Sequence, residues 1–259
     1  MQEYRTRELY GDFYENTGKP LVVIIGGSRP GLPAPLSPRL LEYLKSNYSL
    51  LLLAYFGVGE LPERLEAVPM EYFVNSIDLI REKYGIAPER TAVIGQSKGG
   101  EAALVLTKYL RSAVTIALVA SCYVFQGIPS GPEAFKAAAG RSSWTYGGRE
   151  LPFIPFYYDS EVVRELKAQK YRSCYELSIQ HNYNPDAIIN IRDYPGKLLF
   201  ISEENDAYWP SRDMMDQLIE NCSDRSRTEH VVIDLEGHYL LSYEESVEKI
   251  IDYLDEVHL

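Results

Sequence analysis

The 259 residues carry 37 acidic against 26 basic side chains, a net charge of -11 and a pI near 5.0, which excludes nucleic acid and anionic membrane surfaces as partners. Hydrophobic residues make up 46%, enough for a sizeable core in one large α/β domain or two small ones; no apolar run is long enough to span a bilayer, and Met1-Gln2-Glu3-Tyr4-Arg5 lacks a signal-peptide core, so a cytoplasmic setting is expected. Cys122, Cys174 and Cys222 are far apart with no metal-ligand spacing and read as reduced thiols, so neither a metal nor another cofactor is expected.

Residues 3–15 alternate loosely and end in the turn signal Asn16-Thr17-Gly18-Lys19-Pro20, which predicts an antiparallel strand or hairpin. Leu21 to Ile25 is a continuous aliphatic run, as in a strand buried on both faces, and it ends in the loop Gly26-Gly27-Ser28-Arg29-Pro30-Gly31. A short helix is predicted over Leu36–Lys45 and a second buried strand over Ser49–Tyr55. Met70–Tyr84 has helical period through Tyr72, Phe73, Ile77, Leu79 and Ile80, and Gly85 and Pro88 supply the stop. A strand over Ala92–Ile94, a helix over Ser97–Arg111 and a strand over Ala113–Val119 follow. This alternation implies a parallel sheet.

The pattern breaks from 121 to 195, where Pro, Gly and aromatic residues crowd together and only Asp159–Tyr171 reads as a charged helix. A long irregular insertion this rich in aromatics predicts a cap over a site rather than disorder. Order then resumes with a strand over Lys197–Ser202, a helix over Ser211–Asn221, a strand over Val231–Leu235 and a helix over Tyr243–Glu256. No repeat, low-complexity segment or linker divides the chain, so 1–259 reads as one domain with an insertion at about 121–195.

The chain is organised around Thr91-Ala92-Val93-Ile94-Gly95-Gln96-Ser97-Lys98-Gly99-Gly100. A strand ending at Gly95, a serine two residues later and a helix-forming run behind it is the nucleophile-elbow pattern Gly-x-Ser-x-Gly of α/β-hydrolases. The sharp turn strains the serine backbone, and the flanking glycines remove Cβ atoms that would collide there. The oxyanion of an acyl intermediate needs two backbone N–H donors: that of Lys98, after the nucleophile, and one from the early loop, at Ser28 or Gly27. The Lys98 side chain itself is expected to reach solvent or an acid on the next turn.

A serine nucleophile needs a base, and the base an orienting acid. Four histidines are available. His258 is terminal, His230 starts a strand and His181 lies in the cap, whereas His238 follows the last strand directly, behind Gly237, where the base is required. The acid belongs after the preceding strand, in Glu203-Glu204-Asn205-Asp206, where Glu203, Glu204 and Asp206 all qualify by spacing; a solvated acidic loop would account for Glu203 and Glu204.

From about Leu21 to His238 the sequence resembles the catalytic domain of the acyl-CoA thioester hydrolases and bile acid-CoA:amino acid N-acyltransferases, in the dienelactone-hydrolase-like branch of α/β-hydrolases. The matching pieces are Leu53-Ala54-Tyr55, Glu60-Leu61-Pro62, Glu71-Tyr72-Phe73, Gly95-Gln96-Ser97-Lys98-Gly99, Trp144-Thr145-Tyr146-x-Gly148, Leu151-Pro152, Asp206-x-x-Trp209-Pro210-Ser211 and Gly237-His238. The resemblance implies an α/β-hydrolase fold, Ser97 as nucleophile, Asp206 as acid and His238 as base. It also favours hydrolysis, since acyltransferase members carry cysteine at the nucleophile. Members often carry a β-sandwich domain ahead of this one, for which the chain leaves no room. The early loop is altered here, and Glu203-Glu204-Asn205 replaces a glycine-led acidic pair.

The expected function is therefore a serine hydrolase acting on a small-molecule ester or thioester such as an acyl-CoA. The same machinery could serve an amidase, a peptidase or acyl transfer to an amine, and the alternative of another class is a binding protein that kept the fold. Among the cap aromatics, Phe125, Trp144, Tyr146 and Phe153 are the candidates for lining an acyl pocket.

Overall fold

The computed structural model describes residues 1–128, 140–234 and 237–259; residues 129–139 of the expected cap and Leu235 of the expected last strand lie outside them. The first strands, β1 (Gln2–Arg5) and β2 (Tyr10–Tyr14), form the anticipated antiparallel hairpin. Next come β3 (Leu21–Ile25), α1 (Pro38–Asn47), β4 (Ser49–Leu53), a short β5 (Val68–Pro69) and α2 (Met70–Tyr84). Gly85 ends α2 with φ 62°, the left-handed cap its sequence predicts. The elbow follows as β6 (Thr91–Gln96) and α3 (Lys98–Leu106), then β7 (Val114–Leu118). Helix α3 stops five residues before the predicted Arg111, because Thr107 to Leu110 tighten into turns that drop the chain into β7.

Residues 121–195 are more regular than the sequence reading anticipates. They hold β8 (Trp144–Tyr146), β9 (Arg149–Glu150), α4 (Ser160–Lys167) and α5 (Arg172–Asn182). The predicted charged helix is α4, capped by Asp159, whose carboxylate accepts the N–H groups of Glu161 and Val162. The last elements are β10 (Lys197–Glu203), α6 (Ser211–Glu220), β11 (Thr228–Ile233) and α7 (Glu244–Val257). His230 is thus the third residue of β11 rather than its start.

The main sheet runs β1-β2-β4-β3-β6-β7-β10-β11, antiparallel at β1–β2 and β2–β4 and parallel elsewhere. Strands β3, β6 and β7 are buried along their whole length, which is why they read as unbroken aliphatic runs. Their side chains alternate between two cores: Val23, Ile25 and Val93 join α2, α3 and α6, while Val22, Ile24 and Ile94 join α1 and α7. From β3 the chain steps one way to β4 and later the other way to β6. That reversal opens a crevice beyond the C-terminal ends of β3 and β6, where parallel sheets hold their sites.

Candidate active site

Ser97 sits between β6 and α3 with φ 57° and ψ -122°, backbone that L-residues rarely adopt. Neighbouring glycines make this turn possible. A Cβ on Gly95 would lie 2.1 Å from the Gly99 carbonyl oxygen, and one on Gly99 would lie 2.1 Å from that of Gly26. The strained turn is fixed by the Ser97 N–H bond to the Leu118 carbonyl, 2.9 Å.

His238 Nε2 lies 2.8 Å from Ser97 Oγ, and His238 Nδ1 lies 2.7 Å from Asp206 Oδ1. His238 and Asp206 are 2% and 1% exposed, so the pair is shielded from solvent screening. A carboxylate only accepts, so Nδ1 carries the proton and Nε2 is free to accept from the serine hydroxyl. The structure brings together the three residues that the sequence reading singles out.

Tyr171 and Tyr208, which sequence reasoning missed, and residues of the quoted motifs hold them in place. Tyr208 stacks on the imidazole at 4.1 Å, Trp209 meets its edge at 4.8 Å, and Tyr171 stacks on the far side of Tyr208 at 4.6 Å. The Tyr208 N–H donates to Asp206 Oδ1, Trp209 Nε1 donates to the Ala120 carbonyl, and Ala207 N–H bonds the Gly237 carbonyl, tying the acid loop to the histidine loop. These bonds give Asp206-x-x-Trp209-Pro210-Ser211 its physical content. Gln96, just before Ser97, accepts the Leu241 N–H and so anchors the chain beyond His238.

The early loop is equally fixed. Tyr55 Oη donates to the Gly27 carbonyl at 2.6 Å and approaches that of Gly26 at 3.1 Å, and Gly31 N–H bonds the Phe56 carbonyl. Gly27 lies against Ser97, since a Cβ there would be 3.2 Å from the serine Cβ, and Ser28 follows on the cavity wall. Lys98 heads α3, where the first N–H groups have no intrahelical acceptor. Its side chain does not reach solvent: Nζ meets both Glu101 oxygens, at 2.8 and 2.7 Å, in a fully buried pair. Burial pushes Lys98 down and Glu101 up, but Trp144 Nε1 and the Phe125 N–H also donate to Glu101, which keeps its charge matched.

A cavity of about 650 Å³ opens over Ser97. Gly26–Arg29, Lys98 and His238 form its polar floor, and Phe156, Tyr158, Leu166, Tyr171, Tyr175 and Trp209 much of its apolar wall. The four expected pocket residues do not line it. Trp144 is buried under Tyr55 and Phe73, where its indole N–H finds Glu101. Phe125 stands behind the lining residue Tyr175, edge-on at 4.9 Å. Tyr146 stacks outside on Tyr109, and Phe153 packs on the core. Density of aromatics marked the segment, but which face each ring takes depends on β8 and α5, which the sequence reading did not resolve. Trp144→Ala should therefore cost about 3–5 kcal/mol of stability without changing acyl preference. Tyr175→Ala should shift the preferred acyl length in an ester panel, while matching shifts in both variants would count against this division.

Glu204 is exposed and bridges to Arg212, as a solvated loop residue would. Glu203 contradicts that expectation: it ends β10 with 1% exposure, because the strand runs one residue further than predicted. A second Ser-His-Asp line lies nearby, with His230 Nε2 2.9 Å from Ser202 Oγ and Nδ1 2.9 Å from Asp216 Oδ1. Ser202 is fully buried in β10, so this line braces β10, β11 and α6 and meets no substrate. Among the described residues no cluster of three His, Cys, Asp or Glu could hold a metal, and no helix is long and apolar enough to cross a membrane.

Residues 68–242 match the family described as BAAT / acyl-CoA thioester hydrolase C terminal. The chain belongs to that family. Relatives include mouse acyl-coenzyme A amino acid N-acyltransferase 1, 24% identical over 64% of this chain and 35% of its own length. Human acyl-coenzyme A thioesterase 6 is 32% identical over 29% of this chain and 18% of its own length. The chain thus matches about a third or less of these family members' length. Among solved structures, an esterase from Pyrococcus furiosus superposes with a TM-score of 0.61 at 15% identity, covering 96% of this chain and 87% of the esterase. The meta-cleavage product hydrolase of Pseudomonas fluorescens gives 0.57 at 17% identity, covering 96% and 94%. At such identities the likeness concerns the fold, which is that of the α/β-hydrolases.

Proposed function

We propose that this chain is a serine hydrolase cleaving a thioester or ester acyl group through an acyl-enzyme intermediate. The observation that carries the reading is the buried hydrogen-bonded line Ser97–His238–Asp206 at the floor of the cavity. Ser97 Oγ attacks the acyl carbonyl while His238 Nε2 takes its proton, and Asp206 holds the imidazolium that forms. The Lys98 and Ser28 N–H groups receive the oxyanion, aided by the N-terminus of α3. His238 returns the proton to the departing thiol or alcohol. Water then repeats the sequence on the acyl-enzyme, with His238 again the base.

The apolar wall suits an acyl chain, and the relatives' names point to coenzyme A as the leaving group. Residues 121–195 act as the cap of a single hydrolase domain. Three cysteines without disulfides fit a reducing, cytoplasmic setting. Because the first of these relatives are N-acyltransferases, the test panel includes amine acceptors. Purified protein should be labelled by a fluorophosphonate probe and should hydrolyse acyl-CoAs or p-nitrophenyl esters. Each added methylene should raise kcat/KM roughly three- to fourfold until the pocket fills. Failure to label, together with no turnover on any of these substrates, would favour a binding protein. Product formed only when an amino acid acceptor is supplied would make it a transferase.

A further inference from the structure

Glu203 is a buried carboxyl next to the site that the mechanism does not use. Both of its side-chain oxygens lack a hydrogen-bond partner among the described residues, and so does Asp206 Oδ2, three residues on in the same turn. Asp206 Oδ1, by contrast, is fully engaged by His238 and the Tyr208 N–H. Among the described residues the Gly237 N–H approaches Glu203 without making a full hydrogen bond, and buried acceptors left without a donor are costly. Two adjacent buried carboxyls resolve this when one keeps its proton, since a protonated carboxyl becomes a donor.

We infer that Glu203 is a positioning residue: in its protonated form it donates to Asp206 Oδ2, holding that carboxylate against His238. Burial, then the charge of Asp206, push the Glu203 carboxyl up to about 7, while the nearby Gly237 backbone pulls the other way. Among the described residues, the neighbouring charged groups on surrounding elements are engaged elsewhere. Arg172 of α5 donates to the Asp206 backbone carbonyl, Glu204 bridges to Arg212 of α6, and His230 of β11 joins Asp216 and Ser202. None of them supplies the missing donor. Glu203 is absent from the cavity wall, so it acts through Asp206 and not on substrate.

The inference rests on the Ser97–His238–Asp206 reading, and Ser97→Ala tests that reading separately. Here the test is the pH dependence of Glu203→Gln, whose amide keeps a donor at every pH. Wild type loses its donor as pH rises through about 7, the value to which Glu203 is shifted. The kcat ratio of E203Q to wild type should therefore rise roughly tenfold from below to above that pH, the worth of one hydrogen bond to a charged group, with KM unchanged. Glu203→Leu, which has no donor, should lower kcat roughly tenfold below that pH and little above it, where wild type has lost its donor too, again without a KM effect. Stability gives a second readout that needs no substrate. A carboxyl raised in the folded state adds stability in full below its unfolded value, about 4.3, and loses it as pH climbs to the folded value. The Tm of E203Q minus that of wild type should accordingly grow across that window and level off above it. Superimposed kcat–pH curves for E203Q and wild type would overturn the inference, and so would a Tm difference that does not change with pH; both remain readable if E203L fails to fold.

Discussion

Ser97→Ala should leave the fold intact and lower turnover by on the order of 10⁶, because members of a nucleophile–base–acid unit act together and losing the nucleophile loses the whole unit. The serine is 6% exposed at a turn whose geometry is set by glycines and by the bond to Leu118, and none of these needs the hydroxyl. Alanine accepts the strained backbone about as well as serine. Circular dichroism and Tm should match wild type while hydrolysis of the best ester disappears. Retained turnover in a well-folded S97A variant would remove Ser97 from the chemistry.

The second large effect is expected at Asp206→Asn, on the order of 10⁴ in kcat. An asparagine amide can donate to Nδ1, which favours the tautomer with the proton on Nε2, where it cannot accept from Ser97. It also removes the charge that stabilises the imidazolium. Glu204→Gln, on an exposed side chain paired only with Arg212, should change little. If E204Q proves crippling and D206N mild, the acid has been assigned wrongly.

Most of this framework could be read from the sequence because the signals are local. The runs Leu21–Ile25 and Thr91–Gln96 are fully buried and announce themselves as aliphatic stretches. Ser97 is marked by its glycines, and His238 by its place after the last strand. Choosing Asp206 over its two acidic neighbours took the family resemblance, since spacing alone allowed all three. The neighbours differ by which way each side chain turns: Glu204 leaves toward Arg212, whereas Glu203 continues the strand inward. Residues 121–195 were legible as an aromatic-rich segment but not as a surface. Phe125 and Tyr175 touch edge to face, yet only Tyr175 reaches the cavity, a difference set by the packing of α5 against residues some fifty positions distant in the chain. Lys98 is expected to reach solvent or an acid on the next turn; it takes the acid, Glu101, whose carboxylate also accepts from Trp144 and the Phe125 N–H. Its helix is buried along its entire length.

The central claim is that Ser97 becomes acylated during turnover. Mixing the protein with a p-nitrophenyl ester or an acyl-CoA, quenching in acid within the first turnovers and mapping peptides by mass spectrometry tests it most directly. An added acyl mass on the peptide containing Ser97, absent in S97A and accumulating with a burst of released thiol or alcohol, is the predicted result. Turnover with no adduct on Ser97, or with the acyl group on another side chain such as Cys174, would contradict it.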